Sequence, residues 1–290
     1  MHLVATLVSP TLAAAHLAAA RAVLPDAVVD VLAEERAADL AFAGDDPAGV
    51  EAALRAALEG APVDLLVQPA AGRRKRLFLA DMDSTMIGQE CIDELADELG
   101  LKPRIAAITE RAMRGEIAFE PAVRERVGLL AGLPAAVVDK ILAERITFTP
   151  GGRELVMTMR ANGAYAALVS GGFTLFTGPV ARHLGFDEHR SNTLIVADGR
   201  LTGTVAEPIL GADAKLAALR DLAARRGHTV AEAITVGDGA NDLPMLMESG
   251  LGVAFRAKPK VAATARARVD HTDLTTLLHF QGYRASDIVA

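Results

Sequence analysis

The chain has 290 residues, a formal net charge of −7 and a 51% apolar composition. Such a length accommodates a full catalytic core with smaller appendages, and the acidic balance argues against sequence-independent nucleic-acid binding. No apolar run reaches the length of a membrane span, and the single cysteine, Cys91, excludes an intrachain disulfide and is read as structural.

The alanine-rich start lacks a basic leader and is interrupted by His16 and Arg21, so a cytoplasmic location is expected. Residues 1–72 read as a small α+β unit: strand Leu3–Val8, helix Pro10–Val23, strands Val28–Leu32 and Asp39–Ala43, helix Pro47–Leu58 and strand Val63–Val67. The order β-α-β-β-α-β is that of a ferredoxin-like split unit. The basic run Arg73-Arg74-Lys75-Arg76 that follows reads as a solvated linker.

Beyond the linker the pattern becomes α/β. Apolar runs at Leu77–Ala80, Tyr165–Val169, Ala233–Val236 and Leu251–Ala254 suggest a parallel sheet covered on both faces. The first three run into Asp81, Ser170-Gly171-Gly172 and Gly237-Asp238-Gly239, at the strand ends where open α/β sheets bind ligands. Helices are expected at Ile92–Leu99, Arg104–Arg114, Glu120–Leu130 and Pro134–Arg145, an insertion over 88–147 placed as a lid above the sheet. A hairpin of Thr193–Val196 and Leu201–Val205 is expected to turn on Asp198-Gly199. Residues 73–87 and 148–290 then form the core.

Asp81-Met82-Asp83 places two carboxylates at the end of an apolar strand, where they repel unless a proton or cation intervenes. Gly237-Asp238-Gly239-Ala240-Asn241-Asp242 adds two more acids, and four converging aspartates call for a hard divalent cation such as Mg2+. Taken singly, Asp81-Met82-Asp83 is better explained by a hydrogen-bonded turn, and the second segment equally well by a helix-capping turn. Ser170-Gly171-Gly172 offers a hydroxyl and open backbone N–H groups to a phosphate, or is a bare strand-to-helix connection. Lys215 alone reads as a surface charge.

Together these segments resemble the four ordered motifs of the haloacid-dehalogenase-like phosphatases. The pattern is similar to that of the phosphoserine phosphatases through Glu90-Cys91-Ile92-Asp93-Glu94, Phe119-Glu120, Arg124-Glu125-Arg126-Val127 and Leu201-Thr202-Gly203, over roughly residues 77–280. The resemblance implies a Rossmann-like core with a helical cap after the first strand, preceded by an ACT-type regulatory unit. It implies hydrolysis of O-phosphoserine through an aspartyl-phosphate, the last step of serine biosynthesis. Asp81 would be the nucleophile and Asp83 the acid and base. Mg2+ would sit on Asp81, the Asp83 carbonyl and Asp238, with Asp242 holding a metal-bound water or orienting Lys215. Ser170, Gly171, Lys215 and Asn241 would bind the phosphoryl oxygens. Glu90 would face the substrate ammonium, and Arg126, or alternatively Arg124, the carboxylate, with Met113 and Phe119 as apolar walls. No nucleic-acid or membrane partner is expected, and the sequence leaves open a homodimer and an amino-acid effector at the N-terminal unit.

Overall fold

The computed structural model describes residues 1–113 and 116–290, without the side chain of Met113. The N-terminal elements are β1 (His2–Val8), α1 (Ala14–Val23), β2 (Val28–Ala33), β3 (Ala37–Ala43), α2 (Pro47–Ala57) and β4 (Asp64–Pro69). They build a four-stranded antiparallel sheet in the order β2-β3-β1-β4, the expected ferredoxin-like arrangement. Leu7, Leu40, Leu54 and Leu65 are buried together between this sheet and its helices. α1 starts four residues later than the alanine content suggests. The Ser9 and Leu12 N–H groups donate to Arg36 and Glu35 carbonyls, which holds Ser9–Leu12 against the β2–β3 turn.

The core begins with β5 (Leu77–Ala80) and, after α3 (Cys91–Asp97), α4 (Lys102–Met113), α5 (Phe119–Gly128) and α6 (Val137–Glu144), resumes at α7 (Gly152–Ala161). The expected end of the second cap helix, at Arg114, lies outside the described residues. There follow β6 (Tyr165–Phe173), α8 (Thr174–Leu184), β7 (Glu188–Asn192), β8 (Leu194–Ala197), β9 (Arg200–Val205) and α9 (Ala212–Arg226). The chain closes with β10 (Ala233–Gly237), α10 (Leu243–Glu248), β11 (Leu251–Phe255), α11 (Pro259–Thr264), β12 (Ala267–Val269) and α12 (Thr276–Phe280). Six strands form a parallel sheet in the order β12-β11-β10-β5-β6-β7. Both faces are covered, as continuous apolar strands require. Leu77 and Leu79 pack on Leu219 and Leu222 of α9, while Phe78 and Ala80 face the cluster holding Val156, Phe176 and Leu278. Among the described residues no helix is long and apolar enough to cross a membrane.

Two strands escape a hydrophobic reading. β7 is Glu-His-Arg-Ser-Asn, a polar edge strand paired only to β6, and β12 spans only Ala267–Val269. The β8–β9 hairpin forms on Asp198-Gly199, both at positive φ, 49° and 72°, as a tight hairpin turn demands. It bonds to the cap segment: Gly132 N–H donates to the Leu201 carbonyl at 2.8 Å, Leu201 N–H to Leu133 and Ala135 N–H to Gly199, both at 2.9 Å. Those bonds hold Gly132, Leu133 and Ala135 against the hairpin, and Pro134 bridges Arg200, so α6 starts at Val137 rather than Pro134. A two-stranded neck joins cap and core, with Ile87 bridged to Phe148 and Gly88 N–H donating to the Thr147 carbonyl at 2.9 Å.

The basic run is not simply solvated. Arg73 pairs with the buried Asp39 at 2.7 Å, and the Arg74 guanidinium lies 4.2 Å from the Tyr283 ring centre. A second tie is Asp64, which accepts from the N–H groups of Asp270 and Thr272 at 2.8 and 3.0 Å and from the Thr272 hydroxyl at 2.6 Å. Asp64→Ala strands these buried donors, so urea unfolding should show a loss of about 3 kcal/mol; an unchanged midpoint would remove Asp64 as a joint.

Candidate active site

The carboxyl ends of β5, β6 and β10, neighbours at the middle of the sheet, bring the sequence motifs to one place. Asp81 directly follows β5, and its side-chain oxygen accepts from the Met82 N–H at 2.7 Å, which fixes the carboxylate at the strand end. The turn behind it holds Ser84 at a φ of 55°, a left-handed conformation rare for a side chain bearing residue. That turn lets the Ser84 hydroxyl donate to Glu90 at 2.7 Å.

Asp81, Asp238 and Asp242 converge, each offering an oxygen within 4.8 Å of the others. Lys215, from α9, is 2% exposed and divides its ammonium between Asp81 at 2.7 Å and Asp242 at 2.6 Å. Burial alone would lower the lysine, but the two carboxylates outweigh it and raise its pKa, keeping the ammonium charged. Burial and the Asp242 charge push Asp81 well above the usual carboxylate range, partly offset by Lys215. Burial and Asp242 likewise raise Asp238 to about 6, against the nearby Lys258. Gly237 is required here, since a Cβ on it would lie 2.4 Å from Cγ of Asp242.

Three buried carboxylates facing one lysine leave an excess of negative charge with oxygen donors only. A hard divalent cation fits that donor set. Adding Mg2+ to the purified protein should therefore raise its melting temperature by several degrees, about the gain of a ligand near 100 times its dissociation constant. Asp238→Asn should abolish the rise. An equal shift in both proteins would place the ion elsewhere.

Asp83 stands apart from this acid cluster. Its carboxylate faces the cap, where the Cys91 N–H lies 3.4 Å away. Burial and the Glu90 charge push it up to about 7, with hydrogen bonds from Cys91 working against the rise. A carboxyl whose pKa lies near 7 is suited to giving and taking a proton. Ser170 and Gly171 lie at the far end of β6, which stays extended to Phe173 rather than breaking into a loop at Ser170. The Ser170 hydroxyl accepts from the Gly172 N–H at 2.9 Å, and a Cβ on Gly172 would sit 3.0 Å from an Asp83 oxygen.

A cavity of about 330 Å³ is lined by Asp81, Asp83, Ser170, Gly171, Asp238 and Asn241 below and by Glu90, Phe119 and Arg126 above. Arg126 is half-buried: its Nε donates to the Ala122 carbonyl and one terminal nitrogen to Thr109, both at 3.2 Å. Burial lowers its pKa, while Asp93 and Glu90 act to raise it. Arg124 points away, pairs with Glu207 and lies outside the cavity lining. The side chain of Met113, expected as an apolar wall, lies outside the described residues. Three further residues at the site had no role read from the sequence: Thr85, which donates to Asp238 at 3.2 Å, Thr109 beneath Arg126, and Lys258 at the rim. Thr85 closes the segment Asp81-Met82-Asp83-Ser84-Thr85, whereas Thr109 and Lys258 belong to locally ordinary strings.

A family model described as haloacid dehalogenase-like hydrolase matches residues 78–247. The phosphoserine phosphatase SerB2 of Mycobacterium tuberculosis is 44% identical over 220 residues, 76% of this chain and 54% of that protein. A phosphoserine phosphatase of Albidiferax ferrireducens is 46% identical over 208 residues, 70% of this chain and 88% of its own. Among solved structures, a HAD family hydrolase of Salmonella enterica superimposes with a TM-score of 0.87 at 30% identity, covering 96% of this chain and 98% of that one. This chain spans 54% to 62% of the length of the longer curated relatives.

Proposed function

Since the chain belongs to the haloacid dehalogenase-like hydrolase family, we propose that it is a phosphatase acting on O-phospho-L-serine through an aspartyl-phosphate on Asp81. The observation that carries this reading is the single cavity that joins Asp81, Asp83 and the acid cluster to Glu90 and Arg126. One end suits a phosphoryl group, the other an ammonium and a carboxylate.

Phosphate monoesters resist direct attack by water, so a two-step route through an enzyme nucleophile suits this substrate. In the first step an Asp81 oxygen bonds to phosphorus as the phosphorus–oxygen bond to serine breaks, and Asp83 gives its proton to the departing alkoxide. In the second, Asp83 takes a proton from water as that water attacks phosphorus, freeing phosphate and restoring Asp81. Asp81, the Asp83 carbonyl and Asp238 would hold Mg2+, which supplies charge neutralisation for the phosphoryl oxygens. Lys215, held charged by Asp81 and Asp242 behind the cavity lining, would offset charge on the equatorial oxygens, with Ser170, the Gly171 N–H and Asn241 of the lining as donors. Phe119 shields the cavity mouth, and closure of residues 88–147 over it would exclude bulk water. The same proposal places the reaction at the end of serine formation in the cytoplasm and leaves residues 1–72 as a regulatory unit, with an amino-acid effector and a homodimer as its partners.

Phosphate release should be measured with Mg2+ on O-phospho-L-serine, O-phospho-L-threonine and a sugar phosphate. Phosphoserine should be the best substrate by kcat/KM; preference for the sugar phosphate would retain the phosphatase but reject the amino-acid pocket.

A further inference from the structure

The cavity's positive charge is unevenly arranged. Lys215 is enclosed and already shared between two carboxylates, and Arg126 stands at the cap end. The lower rim carries another cation, Lys258, whose Nζ is 4.0 Å from an Asp238 oxygen. Its backbone is fixed: the Lys258 N–H donates to the Asp238 carbonyl at 3.1 Å, and Pro259 opens α11 directly after it. Its side chain is 55% exposed, and Asp238 is the one ion-pair partner recorded for it among the described residues. A loose pair of that kind contributes little to stability, so little is lost when the ammonium leaves it for another anion. A lysine presents a mobile, hydrated point charge on a flexible stem, suited to following a phosphate in and out of a cavity. The charge balance calls for one: a phosphomonoester dianion enters beside Asp81, Asp238 and Asp242, and the single enclosed lysine is shared between two of them.

We infer that Lys258 is a phosphate-binding residue, which captures the phosphoryl group of the incoming monoester at the rim and holds inorganic phosphate before release. The inference rests on the phosphatase reading of the cavity. Its test does not need turnover, because the ligand measured is inorganic phosphate.

Titration calorimetry of inorganic phosphate into the Mg2+-saturated full-length protein should show about tenfold weaker binding for Lys258→Ala, the loss of one charge-assisted contact. Lys258→Arg should recover most of the affinity. Lys260→Ala, two positions on and outside the cavity lining, removes the same charge and should bind as the wild type does. Where phosphoserine is turned over, Lys258→Ala should raise KM by about tenfold and change kcat by less than about threefold. Unchanged phosphate affinity in Lys258→Ala would overturn the inference, as would an equal loss in Lys260→Ala. Loss of the Mg2+-dependent rise in melting temperature in Lys258→Ala would also overturn it, by assigning the lysine to the cation site. Failure of the wild type to hydrolyse any monoester would instead count against the phosphatase reading, with the phosphate titration still deciding the role of Lys258.

Discussion

Asp81→Asn is expected to lower turnover by roughly 10⁴-fold or more while leaving the fold intact. The amide keeps nearly the shape of the carboxylate but has no anionic oxygen with which to attack phosphorus. Stability should hold because Lys215 retains Asp242 at 2.6 Å, so the lysine is not left unpaired. Burial and Asp242 already disfavour charge at position 81, and losing that charge relieves part of the repulsion within the acid cluster. The expected result is therefore an inactive protein with a wild-type or slightly raised melting temperature in the absence of cation. Turnover within tenfold of wild type would remove Asp81 as the nucleophile.

Arg126→Ala should carry the second large effect, a loss in kcat/KM for phosphoserine of about 10²-fold, expressed mainly in KM. The same change should leave hydrolysis of phosphoethanolamine, which lacks the carboxylate, within about threefold of wild type. That contrast separates carboxylate recognition from a general loosening of the cap, which would slow both substrates. Arg124→Ala should alter neither, because its partner is Glu207 and it does not line the cavity. An effect of Arg124→Ala equal to that of Arg126→Ala would show that helix α5 is presented differently when substrate is bound.

The two arginines also show where the sequence stops being informative. Residues two apart on a helix point about 200° from each other, so only one of them can face the cavity. Choosing between them needs the phase of α5, and its residues Phe119–Gly128 mix charged and apolar side chains too evenly to reveal it. The acid cluster was readable for the opposite reason. Asp81 and Asp238 follow short, wholly buried strands, and the parallel sheet brings the ends of adjacent strands together whatever their separation in the chain. Lys215 lies on a helix, where only the buried carboxylates around it explain a buried ammonium. β7 was invisible because a polar edge strand carries no hydrophobic period. The attachment of the β8–β9 hairpin to Gly132–Ala135 was hidden too, since backbone hydrogen bonds leave no trace in side-chain composition.

Chemical trapping of the covalent intermediate bears most directly on the role of Asp81. The protein, mixed with phosphoserine and Mg2+, quenched in acid within a turnover and reduced with borohydride, should yield homoserine at position 81 by peptide mass analysis, the reduction product of an acyl phosphate. A normal first-turnover release of phosphate with residue 81 recovered unaltered as aspartate, or with the reduced residue elsewhere in the chain, would contradict it.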